Sequence, residues 1–147
     1  ITLPGVDVEV HSDAVPEKVE QAISIASMMM GTRYAWGGKT SEGIDCSGLV
    51  QSAFRAVGIN YPRDAYQQAY VGSLVATRWH RAGLRRGDLL YFLGRNGRIN
   101  HTAIYLGNDQ YLEASRGDVH YTSFNPDDDH YSEAKDASFC FAKRLLE

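Results

Sequence analysis

The chain of 147 residues has room for one domain with one hydrophobic core, and a chain of this length needs neither disulfides nor a metal to fold. Its net charge of −3 gives no basic surface of the kind that binds nucleic acid. The longest apolar stretch, residues 22–30, is interrupted by two serines and is far shorter than the roughly 20 residues that span a bilayer. We therefore expect neither a nucleic-acid partner nor membrane insertion.

Residues 1–15 show little hydrophobic periodicity and are interpreted as an N-terminal arm or a linker remnant, followed by a single domain at residues 16–147. The first residue is Ile rather than Met and no signal peptide is visible, so we expect a processed product or an excised domain. A helical repeat of apolar residues starts at Pro16, with proline in the first turn, and Gly31 ends it.

A glycine-rich loop, residues 34–43, precedes a second predicted helix at residues 46–57, which has one apolar face and Gly58 as its cap. Residues 62–70 predict a short third helix. The segment 72–86 has no clear pattern, and we expect a surface loop there, with a lid over a cleft as the alternative.

The second half of the chain changes to short runs of β-branched and aromatic residues separated by Gly, Asn and Asp turns. Helices followed by a meandering antiparallel sheet are typical of an α+β fold. The acidic run at 127–129 predicts a solvated loop, because the spaced ligands of a calcium loop are absent. The predicted strands are residues 89–93, 102–106, 110–114, 119–123 and 138–144.

Two cysteines without a clustered partner argue against a structural zinc site. Cys140 lies between two phenylalanines in a strand pattern and is interpreted as a packing residue. Cys46 starts the second predicted helix, where unpaired N–H groups and a partial positive charge lower a thiol pKa and can bind an oxyanion. From its position alone, Cys46 is either a nucleophile or a small buried side chain.

A thiol nucleophile needs a base, and His101 is the best candidate among five histidines. It opens a predicted strand directly after a tight loop at residues 94–100, where an imidazole can face a cleft. The other histidines lie in the N-terminal arm or in polar surroundings, and His120 is interpreted as a surface residue.

The predicted hairpin after His101 adds a geometric test. His101 and Glu113 flank the turn at residues 107–109, and a loop with an odd number of residues, such as a three-residue loop with a bulge, places both side chains on one face. Ala103 then lies opposite Glu113, with His101 as its diagonal neighbour. A two-residue loop predicts opposite faces. On one face, Glu113 can accept an imidazole N–H and stabilise the imidazolium.

Five segments in this order resemble the NlpC family of papain-like peptidoglycan endopeptidases, and the match runs from about residue 20 to the C-terminus. Residues 125–144 further resemble the branch that cleaves γ-D-glutamyl–diamino acid bonds, whose members often carry bacterial Src-homology-type domains upstream. The segments are Tyr-Ala-Trp-Gly-Gly at 34–38, Asp-Cys-Ser-Gly-Leu-Val at 45–50, Pro-Arg at 62–63, Gly-Asp-Leu-Leu-Tyr-Phe at 87–92 and His-Thr-Ala-Ile-Tyr-Leu-Gly at 101–107.

The resemblance implies an α+β, papain-like and circularly rearranged cysteine peptidase core, with N-terminal helices packed on an antiparallel sheet of about five to six strands. Cys46 matches the family nucleophile and His101 its base. Glu113 occupies the place of a third polar residue that is usually His and sometimes Asn or Gln. A carboxylate there holds the imidazolium more strongly than His would, at the cost of a poorer proton donor.

The other site residues implied by the resemblance line the cleft. Tyr34 matches the tyrosine beside the sulfur, and its hydroxyl joins the main-chain N–H of Cys46 in holding an oxyanion. Asp45 matches the acid that helps bind the free amino end of a stem peptide. Ser47 and Trp36 are expected on the substrate-binding wall.

The implied function is a cysteine endopeptidase that hydrolyses the γ-D-glutamyl–diamino acid amide, with diaminopimelate or lysine, through a thioester and without a metal or organic cofactor. The expected partner is a peptidoglycan stem peptide or muropeptide, at the cell envelope (periplasmic or secreted) or in cytoplasmic recycling. The alternatives are an amidase or transpeptidase with a non-wall substrate, and a non-catalytic wall-binding module.

Overall fold

The computed structural model describes residues 5–145, with side chains from residue 17 onward. In this range the chain forms a mixed α/β structure built around one large antiparallel sheet. The elements in chain order are α1 (Gly5–Met28), β1 (Lys39–Thr40), β2 (Gly43–Ile44), α2 (Cys46–Arg55), α3 (Ala65–Gln68), β3 (Ser73–Thr77), β4 (Leu89–Leu93), β5 (Ile99–Gly107), β6 (Gln110–Ala114), β7 (Val119–Ser123), α4 (Glu133–Ser138) and β8 (Phe139–Arg144).

Helix α1 begins earlier than the sequence pattern predicts. The predicted start at Pro16 is wrong, because α1 begins at Gly5 and Pro16 lies inside it. A proline inside a helix removes one main-chain hydrogen bond, which a helix can tolerate, so proline alone does not mark a first turn. Residues 1–4 lie outside the described residues, and the role of residues 1–15 as an arm or linker stays a prediction. No described helix is both long and apolar enough to cross a membrane.

Helix α2 has the amphipathic pattern that the sequence predicts and ends at Arg55, two residues earlier than expected. Gly58 follows with a φ of +85°, a left-handed conformation that favours glycine. The buried face of α2 packs between α1 and the sheet, so the first residue of the helix comes to lie at the sheet. The buried residues after the first turn are Leu49, Val50, Ala53 and Phe54.

The six-stranded sheet has the order β3-β8-β4-β5-β6-β7. All five predicted strands are present, within three residues at their ends. The expectation of a surface loop at 72–86 is wrong for β3, an edge strand that pairs with β8 near the other end of the chain. Helix α4 was not predicted, and α3 is shorter than the predicted 62–70. Apolar side chains are buried on both faces of the sheet.

The hairpin of β5 and β6 decides which residues face His101. Its turn has two residues, Asn108 and Asp109, with φ values of 52° and 65°, so the predicted odd-length loop is wrong. The register then shifts by one between Tyr105 and Gly107, which adds the residue that an odd loop would have supplied. Beyond this bulge the two strands therefore have the parity that places His101 and Glu113 on one face.

Candidate active site

Cys46 is the first residue of α2, and the chain holds its position through Asp45. The Asp45 carboxylate accepts hydrogen bonds from the main-chain N–H of Gly48 at 2.8 Å and of Gly37 at 3.0 Å. The first bond caps the helix, and the second ties the glycine-rich loop to it. Cys46 is 8% exposed and lies where the two depressions described below meet.

The Cys46 thiol lies close enough to His101 and to the main chain of Thr102 to interact with both. Burial raises the pKa of the thiol, but the hydrogen bond and the positive charge of His101 outweigh burial and bring the pKa below its ordinary value. For His101, burial lowers the pKa, whereas its hydrogen bonds to Cys46 and Glu113 raise it, and the net direction is upward. Both shifts favour a thiolate–imidazolium pair.

Glu113 accepts a hydrogen bond from the second nitrogen of His101. Its Oε1 lies 2.6 Å from His101 Nε2, which leaves Nδ1 as the ring nitrogen available to the Cys46 sulfur. The imidazole is 13% exposed and the carboxylate 1% exposed, so this contact is shielded from water. The expected juxtaposition of His101 and Glu113 is therefore present.

Glu113 has further donors around it that the sequence did not suggest. Lys135 Nζ lies 2.9 Å from the same Oε1, Thr122 Oγ1 donates to Oε2, and His120 Nε2 lies 3.4 Å from Oε2. Burial opposes the carboxylate charge, but hydrogen bonds from His101 and His120 and the charge of Lys135 hold the pKa of Glu113 far below its ordinary value.

These three donors were missed for different reasons. His120 lies directly opposite Glu113 in the β6–β7 register, so the next hairpin contained a signal for it. Thr122 is two residues further along the same strand and shares that face. Lys135 comes from α4, whose packing against the sheet has no local signature in the sequence.

Asp45 is placed differently from the role that the resemblance implied. Besides the two main-chain donors, its oxygens lie 3.0 and 3.1 Å from the Arg63 guanidinium. A carboxylate has about four acceptor positions, and these are taken. An incoming ammonium would have to displace one of these donors, so the geometry does not favour Asp45 as the amine-binding residue. Ser47 likewise faces inward and accepts from Arg63 at 2.8 Å.

Two depressions meet at Cys46 and Tyr34, with volumes of about 1160 and 1280 Å³. We call the first the polar depression and the second the aromatic depression. Trp36 is 89% exposed and borders the aromatic one, and its role as a substrate-binding residue stays a prediction. The polar depression is lined by residues that include Arg33, His101, Glu113, His120 and Lys135. The aromatic depression is lined by residues that include Trp36, Arg63, Tyr66, Tyr70 and Asn100.

Tyr34 stands between the two depressions, close enough to Cys46 for the two groups to interact electrostatically. Burial and the neighbouring charges of Cys46 and Asp45 raise the pKa of its phenol, which keeps the hydroxyl protonated. A protonated phenol beside the sulfur can donate a hydrogen bond to an oxygen that becomes negative.

Residues 31–135 match the NlpC/P60 family, which is more than half of the chain. The chain belongs to this family. The Escherichia coli K12 protein named murein DD-endopeptidase MepS/murein LD-carboxypeptidase is 47% identical over 87 residues, which cover 58% of this chain and 43% of that protein. The Bacillus subtilis γ-D-glutamyl-L-lysine dipeptidyl-peptidase is 36% identical over 113 residues, which cover 72% of this chain and 37% of that protein. The chain thus spans less than half the length of these NlpC/P60 relatives.

Solved structures agree with this assignment. The peptidoglycan hydrolase RipB of Mycobacterium tuberculosis superposes with a TM-score of 0.75 at 31% identity, covering 100% of this chain and 74% of that one. An NlpC/P60 family protein of Bacillus cereus superposes with a TM-score of 0.77 at 26% identity, covering 88% and 40%. The α+β fold is therefore that of the papain-like NlpC/P60 domains, as the motifs predicted.

Proposed function

We propose that this NlpC/P60 domain is a cysteine peptidase that hydrolyses an amide bond of peptidoglycan stem peptides. The observation that carries the proposal is the row of contacts from Cys46 through His101 to Glu113 at the floor of an open cleft. The pKa of the thiol is shifted down and that of the imidazole up, which suits a nucleophile and its proton carrier. The relatives' names add support, because they are peptidoglycan peptidases and hydrolases.

In the proposed reaction, the Cys46 thiolate attacks the carbonyl carbon and forms a C–S bond, while the carbonyl electron pair moves to oxygen. The main-chain N–H of Cys46 and the Tyr34 hydroxyl hold this oxyanion. The imidazolium of His101 gives its Nδ1 proton to the amine nitrogen, the C–N bond breaks and a thioester remains. Neutral His101 then takes a proton from water, which attacks the thioester and releases the acid and the thiolate.

The bond that we propose is the γ-D-glutamyl–diamino acid amide, with diaminopimelate or lysine as the diamino acid. The resemblance of residues 125–144 to that branch supports it, as does the name of the Bacillus subtilis relative. A second candidate is the D,D cross-link, because the 47% identical Escherichia coli relative is named a DD-endopeptidase. The occupied carboxylate of Asp45 leaves recognition of a free amino end to other groups.

The proposed setting is the cell envelope, periplasmic or secreted, since peptidoglycan is there. Cytoplasmic recycling remains the alternative, and an upstream Src-homology-type domain stays a prediction. The proposed chemistry uses side chains and one main-chain N–H of this chain, together with water, and includes no step on a metal or an organic cofactor.

The test uses four defined substrates: a tetrapeptide with a free amino end, the same peptide carrying its sugar, a disaccharide stem peptide and a D,D-cross-linked dimer. Products are identified by mass spectrometry beside a Cys46→Ala control. Release of L-alanyl-D-glutamate, or of its sugar-bearing form, supports the γ-D-glutamyl bond. Cleavage of the dimer alone supports the second candidate.

The same experiment separates the remaining readings. Transfer of the acyl group to an added amine instead of water indicates a transpeptidase. Absence of cleavage, with a Cys46 thiol that alkylates no faster than a free cysteine, indicates a non-catalytic wall-binding module. Cleavage by the Cys46→Ala variant contradicts the proposed mechanism.

A further inference from the structure

Glu113 presents a chemical problem if it is the third residue of the site. A buried carboxylate that accepts the Nε2 hydrogen of His101 stabilises the imidazolium, which helps to form the thiolate. The same attraction makes the imidazolium reluctant to give its other proton to the leaving amine. A buried carboxylate is also left without a counter-charge each time His101 becomes neutral.

Among the described residues that contact the Glu113 carboxylate, one is a lysine and none is an arginine. From β5 the carboxylate faces His101, from β7 it faces Thr122 and His120, and from α4 it faces Lys135. His101 and His120 can each gain or lose a proton, and Thr122 carries no charge. Lys135 supplies the one ammonium group among these four side chains.

Lys135 contacts the same Glu113 oxygen as His101. Its Nζ lies 2.9 Å from Oε1 of Glu113, the same atom that lies 2.6 Å from His101 Nε2. Two donors sharing one oxygen divide its negative charge, so each holds it less strongly. The Lys135 charge also acts on His101 directly and disfavours the imidazolium. The Lys135 ammonium therefore makes the His101 imidazolium less stable in two ways. It shares the Glu113 oxygen that His101 binds, and its positive charge repels that of the imidazolium.

We propose that Lys135 is a positioning residue of this site, whose ammonium keeps Glu113 ionised through the reaction and weakens its hold on the His101 proton. The inference rests on the proposed role of Cys46 and His101 as a nucleophile and proton carrier. It explains how a glutamate can serve at the place where the resemblance implies His, Asn or Gln. The Glu113 carboxylate orients the imidazole of His101, and the Lys135 ammonium offsets part of the negative charge of that carboxylate.

The experiment measures how fast Cys46 is alkylated by iodoacetate as a function of pH. This anionic reagent reacts faster while His101 is positively charged, so the rate rises as the thiolate forms and falls when the imidazolium loses its proton. The pH at which the alkylation rate falls, called the alkaline fall below, therefore measures the loss of the His101 proton without any peptide substrate. The compared proteins are the wild type, Lys135→Met, Lys135→Gln, Lys135→Arg and Lys18→Met, the last removing an exposed charge from α1.

In Lys135→Met and Lys135→Gln we expect the alkaline fall to move up by about one pH unit, because an opposing charge near the imidazolium is gone. Lys135→Arg, which keeps the charge, restores the wild-type position, and Lys18→Met leaves it unchanged. On a cleaved stem peptide, kcat of the two uncharged variants falls about threefold to tenfold, with KM unchanged. Lys135→Gln retains a hydrogen-bond donor, so it tests the charge even if the methionine variant folds poorly.

An alkaline fall that stays in place in folded Lys135→Met and Lys135→Gln overturns the inference, and so does an equal shift in Lys18→Met. A rise in KM with unchanged kcat also overturns it, because Lys135 would then be a substrate-binding residue. If no stem peptide is cleaved while the alkaline fall moves as expected, the proposed function fails and the role of Lys135 stands.

Discussion

Cys46 lies between two buried carboxylates, each paired with a cation that is about a quarter exposed. Asp45 pairs with Arg63, whose side chain is 28% exposed, and Glu113 pairs with Lys135, whose side chain is 26% exposed. The partners beyond these cations differ. Asp45 binds main-chain N–H groups of the glycine-rich loop and of α2, whereas the donors to Glu113 among the described residues are all side chains.

This difference indicates that Asp45 has a structural role and that Glu113 has a role in proton transfer. Main-chain donors neither titrate nor rotate, so Asp45 is suited to locking the start of α2 and with it the position of the sulfur. Imidazole, hydroxyl and ammonium groups can exchange protons or change charge, so Glu113 is suited to setting the charge on His101. Two buried carboxylates with similar ion pairs therefore serve different purposes on the two sides of Cys46.

The largest expected effect follows from removing Asp45. Asp45→Ala leaves the Gly37 and Gly48 N–H groups and Arg63 without their acceptor, and we expect a loss of about 3 kcal/mol in the free energy of unfolding. Cleavage activity falls at least 100-fold, because the sulfur and its oxyanion donor are no longer held. Urea denaturation and product release measure the two effects. Asp127→Ala, at an exposed loop position, is the control, and a stable but inactive Asp45→Ala would contradict the fold-holding role.

Replacing the other carboxylate gives a smaller loss of stability and a specific loss of turnover. Glu113→Gln preserves the shape but no longer stabilises the imidazolium, so we expect kcat to fall about 10- to 100-fold while the protein still folds. Initial rates on a cleaved stem peptide measure the change, with Glu42→Gln, an exposed site, as the control. Unchanged turnover removes Glu113 from the catalytic set.

The pH dependence of stability offers a check on the same variant. The pKa of Glu113 is lower in the folded protein than its ordinary value of 4.5, so its ionised form stabilises the fold above that pH. This contribution is lost as the pH falls below about 4.5, where protons bind first to the unfolded chain. The gap in unfolding free energy between wild type and Glu113→Gln should therefore narrow in acid. A difference in unfolding free energy that grows at acid pH contradicts a stabilising role for the ionised Glu113 carboxylate.

The smallest expected effect concerns binding on the Asp45 side of the cleft. Trp36 is 89% exposed at the rim of the aromatic depression, where an indole face can stack on a substrate. We expect Trp36→Ala to raise KM about threefold to tenfold with kcat unchanged. Trp79→Ala is the matched control, since Trp79 is 79% exposed on the 72–86 segment. A change in kcat alone would assign Trp36 to positioning the reacting groups.

Much of the fold and of the candidate site is accessible from local patterns. The apolar repeat after Asp45 predicts α2 with Cys46 at its start, and alternation predicts five of the six strands of the large sheet. The predicted meeting of His101 and Glu113 holds for a reason other than the one proposed. The loop has two residues instead of three, and the bulge near Leu106 restores the parity.

The failures share a physical cause. Strand β3 is short and half exposed, and it forms by pairing with β8, whose residues lie more than 60 positions away. The sequence pattern left the length of the β5–β6 turn open, and Asn108 and Asp109, instead of glycine, adopt the positive φ angles of its two residues. Proline near the start of an apolar repeat predicts a helix start at Pro16, but Pro16 lies within α1. Each error arose where a local pattern allows two structures and a distant contact selects one.

The sequence by itself determined the NlpC/P60 membership, the α+β order of elements, the cysteine at a helix N-terminus and the spacing that aligns His101 with Glu113. These properties depend on residue types and on periods of 2 and 3.6, which act over a few neighbours. The partners of the two carboxylates were decided only by tertiary structure. Arg63 lies 18 positions from Asp45, and Lys135 lies 22 positions from Glu113. No local period brings such residues together, because packing of α3 and α4 against the rest of the molecule chooses which cation meets which carboxylate.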